Sequence, residues 1–544
     1  MMRRSATALA ALLTLVGLTV IVTWPQALHM TTRVGEHDDP LFSIWRLSWI
    51  AHALRTDPGH LFDANIFYPA RNTLSFSDAM LLEGLLGTPL LWAGLSPVLV
   101  YNLLLFAGFI LSGAAMFVLA KHVTGQSGPA LVGAAIFTMA PYRVGHFMHL
   151  ELQWTMWMPL ALWTIHRAFE RPSWRDGLLA GTFVWLQLLS SVYYGVFLAI
   201  TCVVTVILMA VAHRETAWRA VARIAAGGVI AAVLALPYAW PYIQASRTMV
   251  RRTAEVSDYS ANIWNYLASA PQSAFWGWTN GRFGGSELAL FPGAIALVLA
   301  AISLFNPRRR AVGIYAILAI IIIDLSLGLN GHLYKWLFEG VAALHGLRSP
   351  ARFGILASLA VAMLASLGAQ AVEAFATRAG VRVARLVPVL VILVAIENAT
   401  KGMRVMPVPF DTGDERSVYT AIQRVGPGPI IELPLPVLYA LPGHEPVYMI
   451  WSIGHWNPLV NGYSGYYPPE FAQTVVRTEH FPDDQSIAQL RNIGVRYVVL
   501  HRIYYDEATY HALLEKVLQR KELSPLGRYN DYYSECALFL LQPT

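Results

Sequence analysis

The chain has 544 residues, of which 56% are hydrophobic and only 13% charged, whereas an ordinary soluble domain carries about a quarter charged residues. That balance excludes a soluble protein along most of the length and points to an integral membrane protein. The 17 Trp and 24 Tyr agree, because amphipathic rings favour the membrane–water boundary. The formal charge of +6 is split into short Lys/Arg clusters between apolar runs. No single basic face results, so nucleic acid is not an expected partner.

Taken in chain order, Met2-Arg3-Arg4 precedes an apolar run from Ala6 to Ala27. The run is long for a signal peptide and ends at Trp24-Pro25 without a small-x-small cleavage site, so an uncleaved first span is expected. A membrane helix needs about 20 mostly apolar residues, which predicts about eleven spans. They begin near Ala6, Val98, Gly128, Leu152, Gly177, Gly195, Ile224, Leu288, Val312, Phe353 and Leu386, the third and last being short. Basic residues in short connections mark the cytoplasmic side. They are Lys121; Arg167, Arg171 and Arg175; Arg214, Arg219 and Arg223; Arg308, Arg309 and Arg310; and Arg378, Arg382 and Arg385. With Arg3 and Arg4 also inside, an odd number of crossings leaves the C-terminus outside. Met80 to Leu95 would reverse every later loop if it crossed, so it is expected to lie at the interface. The first external loop, His29 to Pro97, then carries two juxtamembrane helices, Leu41 to Leu54 and Met80 to Trp92. Further external loops run from Pro237 to Glu287 and from Asn330 to Arg352.

The reading divides the chain into a membrane domain, 1–401, and an extracytoplasmic domain, 402–544. In the latter, Pro429 to Leu433, Val495 to Leu500 and Cys536 to Leu541 read as strands. Ser417 to Val425, Gln485 to Asn492 and Glu507 to Lys521 read as helices, and the alternation predicts an α/β layer. Cys202 and Cys536 are too few and too far apart for a disulfide framework or a cysteine-based metal site.

Charged residues close to hydrocarbon are costly unless solvated or used. The densest acidic run, Glu36-His37-Asp38-Asp39-Pro40-Leu41-Phe42, directly follows the first span. In the next external connection, His146, His149 and Gln153 would share one helical face with Glu151 to its side. With Asp39 they form a candidate divalent-metal site, since imidazole and carboxylate suit such ions. Arg348-Ser349-Pro350-Ala351-Arg352 places two arginines on the external side, where guanidinium forks match phosphate oxygens. Arg247, Arg251 and Arg252 are weaker candidates of the same kind. Asp324, within an Ile-rich run, is expected to need a partner in the membrane, and Glu397 to be structural. His455-Trp456-Asn457 and Asn461 to Pro468 interleave aromatics with amides and glycines, which suits either a sugar ring or a tyrosine-packed turn.

Asp39-Pro40-Leu41-Phe42-Ser43, Asn65-Ile66-Phe67-Tyr68-Pro69 and Asn461-Gly462-Tyr463-Ser464-Gly465 resemble runs of uncharacterised bacterial membrane proteins grouped near the GT-C superfamily of glycosyltransferases. The layout of carboxylate loop, interfacial helices, many spans and external domain resembles that superfamily too. The resemblance implies a polytopic α-helical, GT-C-like fold in the bacterial inner membrane and a polyprenyl-phosphate-linked sugar donor. It also implies a base in the first external loop, which is Asp39 or its neighbour Asp38. Glu151 corresponds to a second acidic residue that recurs in that pattern. His149, His146, Arg348, Arg352, Tyr68 and Asn65 are the expected substrate contacts. Transfer from a lipid phosphate needs a carboxylate to take the acceptor's proton and cations to stabilise the departing phosphate. A polytopic transporter or lipid flippase is the competing reading, although no two related, Gly/Pro-broken halves are visible.

Overall fold

The computed structural model describes residues 2–247, 253–285, 287–380 and 386–543. The basic residues Arg251, Arg252, Arg382 and Arg385 lie outside the described residues. All eleven apolar segments hold a helix. In chain order, α1 (Met2–Val22) precedes α2 (Asp38–Thr56) and α3 (Leu81–Trp92), the two helices of the segment expected to form the first external loop. Then come α4 (Pro97–Thr124), α5 (Ser127–Thr138), the single turn α6 (Pro141–Gly145), α7 (Trp157–Glu170), α8 (Trp174–Ser190), α9 (Val192–Ala212) and α10 (Ala217–Ser246). After α11 (Thr253–Asp258) and α12 (Asn280–Phe283) follow α13 (Ala294–Ile302), α14 (Arg309–Ser326), α15 (Leu333–Gly340), α16 (Gly354–Arg378) and α17 (Leu386–Glu397). Among the described residues, four helices are long and apolar enough to cross a membrane alone: α4, α9, α10 and α16 with its preceding turn.

Local chemistry sets the boundaries. Ser96 caps α4 with Pro97 in its first turn, and Gly125 in the left-handed conformation (φ +74°) ends it. The fourth segment starts at Trp157 rather than near Leu152, because Glu151–Gln153 forms a tight turn of its own. The eighth starts at Ala294 rather than near Leu288, because Gly293 (φ +100°) breaks the chain just before it. Helix α16 is buried along most of its length and packs against α5, α13 and α14, making it the axis of the bundle. Helices α8 and α10 meet backbone to backbone, since a Cβ on Gly181 or Gly227 would overlap the opposing carbonyls.

Strand β1 (Arg33–Gly35) pairs antiparallel with β2 (Val405–Pro407) and ties the segment after α1 to the later chain. The C-terminal domain then runs α18 (Val418–Val425), β3 (Ile430–Leu433), α19 (Glu445–Ser452), α20 (Pro469–Arg477), α21 (Asp484–Asn492), β4 (Tyr497–His501), α22 (Glu507–Leu518), β5 (Leu523–Asn530) and β6 (Glu535–Leu541). Its sheet has the order β3-β4-β6-β5, with β3 and β4 parallel and the other pairs antiparallel. Strand β5 was not expected, because Pro525 and Gly527 disfavour strands. It survives as an edge strand with an irregularity between those residues.

Two of the runs that carried the resemblance form the joint between loop and domain. Tyr68 N donates to Leu459 O (2.9 Å), Leu459 N to Asn65 O (2.7 Å) and Phe67 N to Asn461 O (3.0 Å). Gly462 is required there, since a Cβ would lie 2.8 Å from the Phe67 ring. Asn65 is buried and its Nδ2 donates to Asn457 O (3.0 Å). Asn65 and Tyr68 therefore help hold the joint together, Asn65 through its carbonyl and Nδ2 and Tyr68 through its backbone N–H.

Candidate active site

Asp39 sits in the first turn of α2, where unpaired helix N–H groups favour a negative charge. Three side chains surround its carboxylate. Tyr463, from the C-terminal domain, donates its hydroxyl to Oδ1 at 2.8 Å. His149 Nε2 lies 3.2 Å from Oδ2 and His37 Nδ1 lies 3.1 Å from it. When neutral at Nδ1, His37 instead accepts the Asp39 backbone N–H (3.2 Å) and caps the helix. Burial alone would raise the Asp39 pKa, but the charge of His149 and hydrogen bonds from His149 and His37 hold it well below the usual carboxylate range. Burial would lower His149, but the charge and hydrogen bond of Asp39 raise it. Among the described residues Asp38 makes no side-chain hydrogen bond or ion pair, and burial, with the neighbouring Asp39 charge, raises its pKa. Two adjacent carboxylates are thus pushed apart, one ionised and oriented, the other less acid and open.

Glu151 reaches the same cluster through α2. Arg46 donates from Nη2 to Glu151 Oε2 (3.2 Å) and Ser43 Oγ (3.0 Å), and from Nη1 to the Asp78 carbonyl. Both side chains of the pair are buried, at 2% and 6% exposure. Glu151 is consequently held by a guanidinium. The expected helical face of His146, His149 and Gln153 does not form, because α6 stops at Gly145 and the chain turns. Gln153 folds back, its Nε2 donating to the carbonyls of Arg143 (3.2 Å) and His146 (2.7 Å). His146 still lies beside His149, with ring centroids 5.7 Å apart, and burial lowers its pKa to about 3, keeping it neutral. The anticipated metal set does not come together among the described residues: the one group with closely converging ligand atoms is His501, Asp531 and Cys536, in the C-terminal domain.

The two arginines before α16 differ. Arg352 makes a fork to Glu287, Nε to Oε2 at 2.8 Å and Nη2 to Oε1 at 2.7 Å, and Ser349 Oγ adds 2.9 Å to Oε2. Glu287 adopts φ +61°, a left-handed conformation costing roughly 1 kcal/mol for a residue with a side chain. The ion pair with Arg352 offsets that strain. Burial would raise the Glu287 carboxyl, but the Arg352 charge and hydrogen bonds hold it far below the usual range. Arg348 is less enclosed: its Nη1 lies 3.4 Å from Glu255 Oε1 and its guanidinium sits 5.2 Å from the Tyr259 ring centroid. Arg247 is exposed at the end of α10.

A family model described as a domain of unknown function, DUF6311, matches residues 5–334. The chain belongs to that family. No curated protein matches the sequence. The structure is similar to that of the arabinofuranosyltransferase AftD from Mycobacteria, with a TM-score of 0.64 and 14% identity over 99% of this chain. It is also similar to the archaeal oligosaccharyltransferase AglB from Archaeoglobus fulgidus, in complex with an inhibitory peptide and a dolichol-phosphate, with a TM-score of 0.50 and 14% identity over 97% of this chain. Both belong to the GT-C superfamily, whose fold this DUF6311 protein shares. The match takes in 40% of AftD and 74% of AglB.

Three further acidic residues of this DUF6311 chain accept hydrogen bonds that fix local structure. Asp324 has the partners expected of it: it accepts from Leu333 N (2.7 Å) and His332 N (3.3 Å) at the start of α15. Glu397 caps α13 through Ala294 N (2.6 Å) and Ile295 N (3.1 Å), and accepts from Trp276 Nε1 (3.0 Å). Glu445, buried with its pKa raised to about 8 by desolvation, takes Asn461 Nδ2 (3.0 Å) and Gly462 N, fixing the loop that presents Tyr463. Sequence reasoning missed Tyr463, His37, Arg46 and Glu287 as members of this site. His37 carried a signal in its place in the acidic run, and Tyr463 in its aromatic, glycine-rich run; Arg46 and Glu287 carried none.

Proposed function

We propose that the protein transfers a sugar from a polyprenyl-phosphate-linked donor to an acceptor hydroxyl on the extracytoplasmic face, with Asp39 as the general base. The observation that carries this reading is the three-donor cradle of Asp39 at the start of an interfacial helix. A base must be ionised and aimed before the acceptor arrives, and the cradle supplies both conditions. In this reading the acceptor hydroxyl takes the place of Tyr463 on Oδ1, while His149 keeps Oδ2 oriented. Arg348 stabilises the departing phosphate, and Arg352 is fixed beside it by Glu287. Glu151 acts through Arg46 to hold α2, and is a positioning residue. AftD is described as an arabinofuranosyltransferase and AglB was solved with a dolichol-phosphate. Those descriptions favour a lipid-phosphate donor here.

The test is transfer by purified, reconstituted protein supplied with radiolabelled polyprenyl-phosphate sugars. Label leaving the lipid in wild type but not in Asp39→Asn supports the assignment. Undiminished transfer in Asp39→Asn, Asp38→Asn and the double variant removes both as the base. Movement of intact lipid-linked sugar across the bilayer without release of label identifies a flippase instead.

A further inference from the structure

At the end of the bundle opposite Asp39 lies a second cavity, of about 460 Å³, between the far ends of α4, α7 and α9 and the start of α14. The same helices run from one site to the other. Near the Asp39 end, α4 bonds the first external loop through Asn102. The Asp78 carboxylate accepts Val192 N at the start of α9. At the far end the lining is His122, His166, His213, Arg308, Arg309 and Arg310, with Glu170 as its acid.

The charges here are unbalanced. Glu170 is engaged by His122, at 3.1 Å. No carboxylate lies within ion-pair reach of Arg308, Arg309 or Arg310 among the described residues, and all three are exposed. The three histidines do not form a metal site, because His166 Nε2 is bonded to the Tyr315 hydroxyl (2.9 Å) and the imidazoles do not converge. The open N-terminus of α14, which begins at Arg309, adds backbone N–H groups to the same mouth. The rest of the lining is apolar, from Val123, Pro307, Ala311 and Ile314.

We propose that this cavity binds the phosphate headgroup of an anionic phospholipid in the leaflet on the side away from Asp39. An uncompensated guanidinium cluster over an apolar wall recognises a phosphodiester and its chains together. Soluble phosphate offers no partner to the apolar part. Scattered basic residues attract anionic membranes generally, but they retain no particular lipid once the bilayer is removed.

The full-length protein in detergent is delipidated, incubated with phosphatidylglycerol, phosphatidylcholine or inorganic phosphate, and analysed by native mass spectrometry. Phosphatidylglycerol is expected to remain bound, and phosphatidylcholine not. The Arg308→Gln/Arg309→Gln/Arg310→Gln variant is expected to lose retention by at least about tenfold. Arg219→Gln/Arg223→Gln, which removes basic groups elsewhere at the same end, is expected to retain the lipid. If the triple variant does not fold, the exposed Arg310→Gln variant alone is read in its place. Absence of bound phosphatidylglycerol, or equal loss in the Arg219/Arg223 control, overturns the proposal. Retention of inorganic phosphate with the same variant sensitivity, but of no lipid, overturns the lipid assignment.

Discussion

Two carboxylate–histidine clusters in this molecule look alike on paper and differ in what surrounds them. In the C-terminal domain, His501 is fully buried, with Nδ1 2.7 Å from Asp531 Oδ2 and Nε2 2.7 Å from Glu432 Oε2. Asp531 Oδ1 is itself closed off by Tyr533 N and Ser534 N, both at 2.7 Å. Burial would lower the His501 pKa, but its two carboxylate partners raise it to about 9. Around Asp39, the Asp39 and His149 side chains keep 15% and 18% exposure, and Asp38 makes no side-chain bond among the described residues. One cluster is sealed and both ring nitrogens are used. The other is ordered on one side and open on the other, as a site that must admit a substrate has to be.

The comparison breaks most visibly on chemistry. Asp39→Asn should reduce transfer by about 10²- to 10⁴-fold with an unchanged melting temperature, whereas His501→Gln should leave two buried carboxylates uncompensated. That second substitution is expected to destabilise the C-terminal domain by about 3–5 kcal/mol, read as a lower thermal midpoint. Arg348→Lys should weaken donor binding in detergent by about tenfold, the loss of a planar fork that an ammonium cannot reproduce. Arg352→Lys should instead act through Glu287, lowering stability as well as activity. Wild-type donor affinity in both lysine variants would remove these arginines from the site.

pH separates the clusters as well. The His501 pKa is raised, so its contribution to stability is complete below about pH 6.5, the ordinary histidine value, and is lost as pH rises through about 9. Thermal midpoints of the wild type should fall over that interval, and those of His501→Gln should not. The Asp39 pKa is depressed, so activity should persist as pH falls through the ordinary carboxylate range. An acid limb above that range would instead point to Asp38, whose pKa is raised. The smallest effect is expected for Tyr463→Phe. It removes one hydrogen bond to Asp39 and should change the rate by no more than about tenfold, with the acid limb moving upward.

The helices of the apolar part were legible because each expected apolar run holds a helix, although four of them among the described residues are long and apolar enough to cross a membrane alone. The starts at Trp157 and Ala294 were misplaced, since apolar residues continue through the turns before them. The Asp38-Asp39 pair was legible as acid beside hydrocarbon. Its partners were not: Tyr463 lies 424 residues away and arrives through a glycine-rich loop that reads equally well as a packed turn. Arg46 and Glu151, 105 residues apart, were hidden for the same reason, as was Glu287 beneath Arg352. In the C-terminal domain, strands β3, β4 and β6 were readable from their β-branched runs. The edge strand β5 was not, because its proline and glycine describe an irregularity that only pairing reveals.

The central claim is that Asp39 acts as base in sugar transfer from a lipid phosphate, and its most direct test is release of radiolabelled sugar from a polyprenyl-phosphate donor by reconstituted protein. The account predicts that wild type releases label to an acceptor while Asp39→Asn, folded to the same thermal midpoint, does not. Equal release by the wild type and by Asp39→Asn would contradict it.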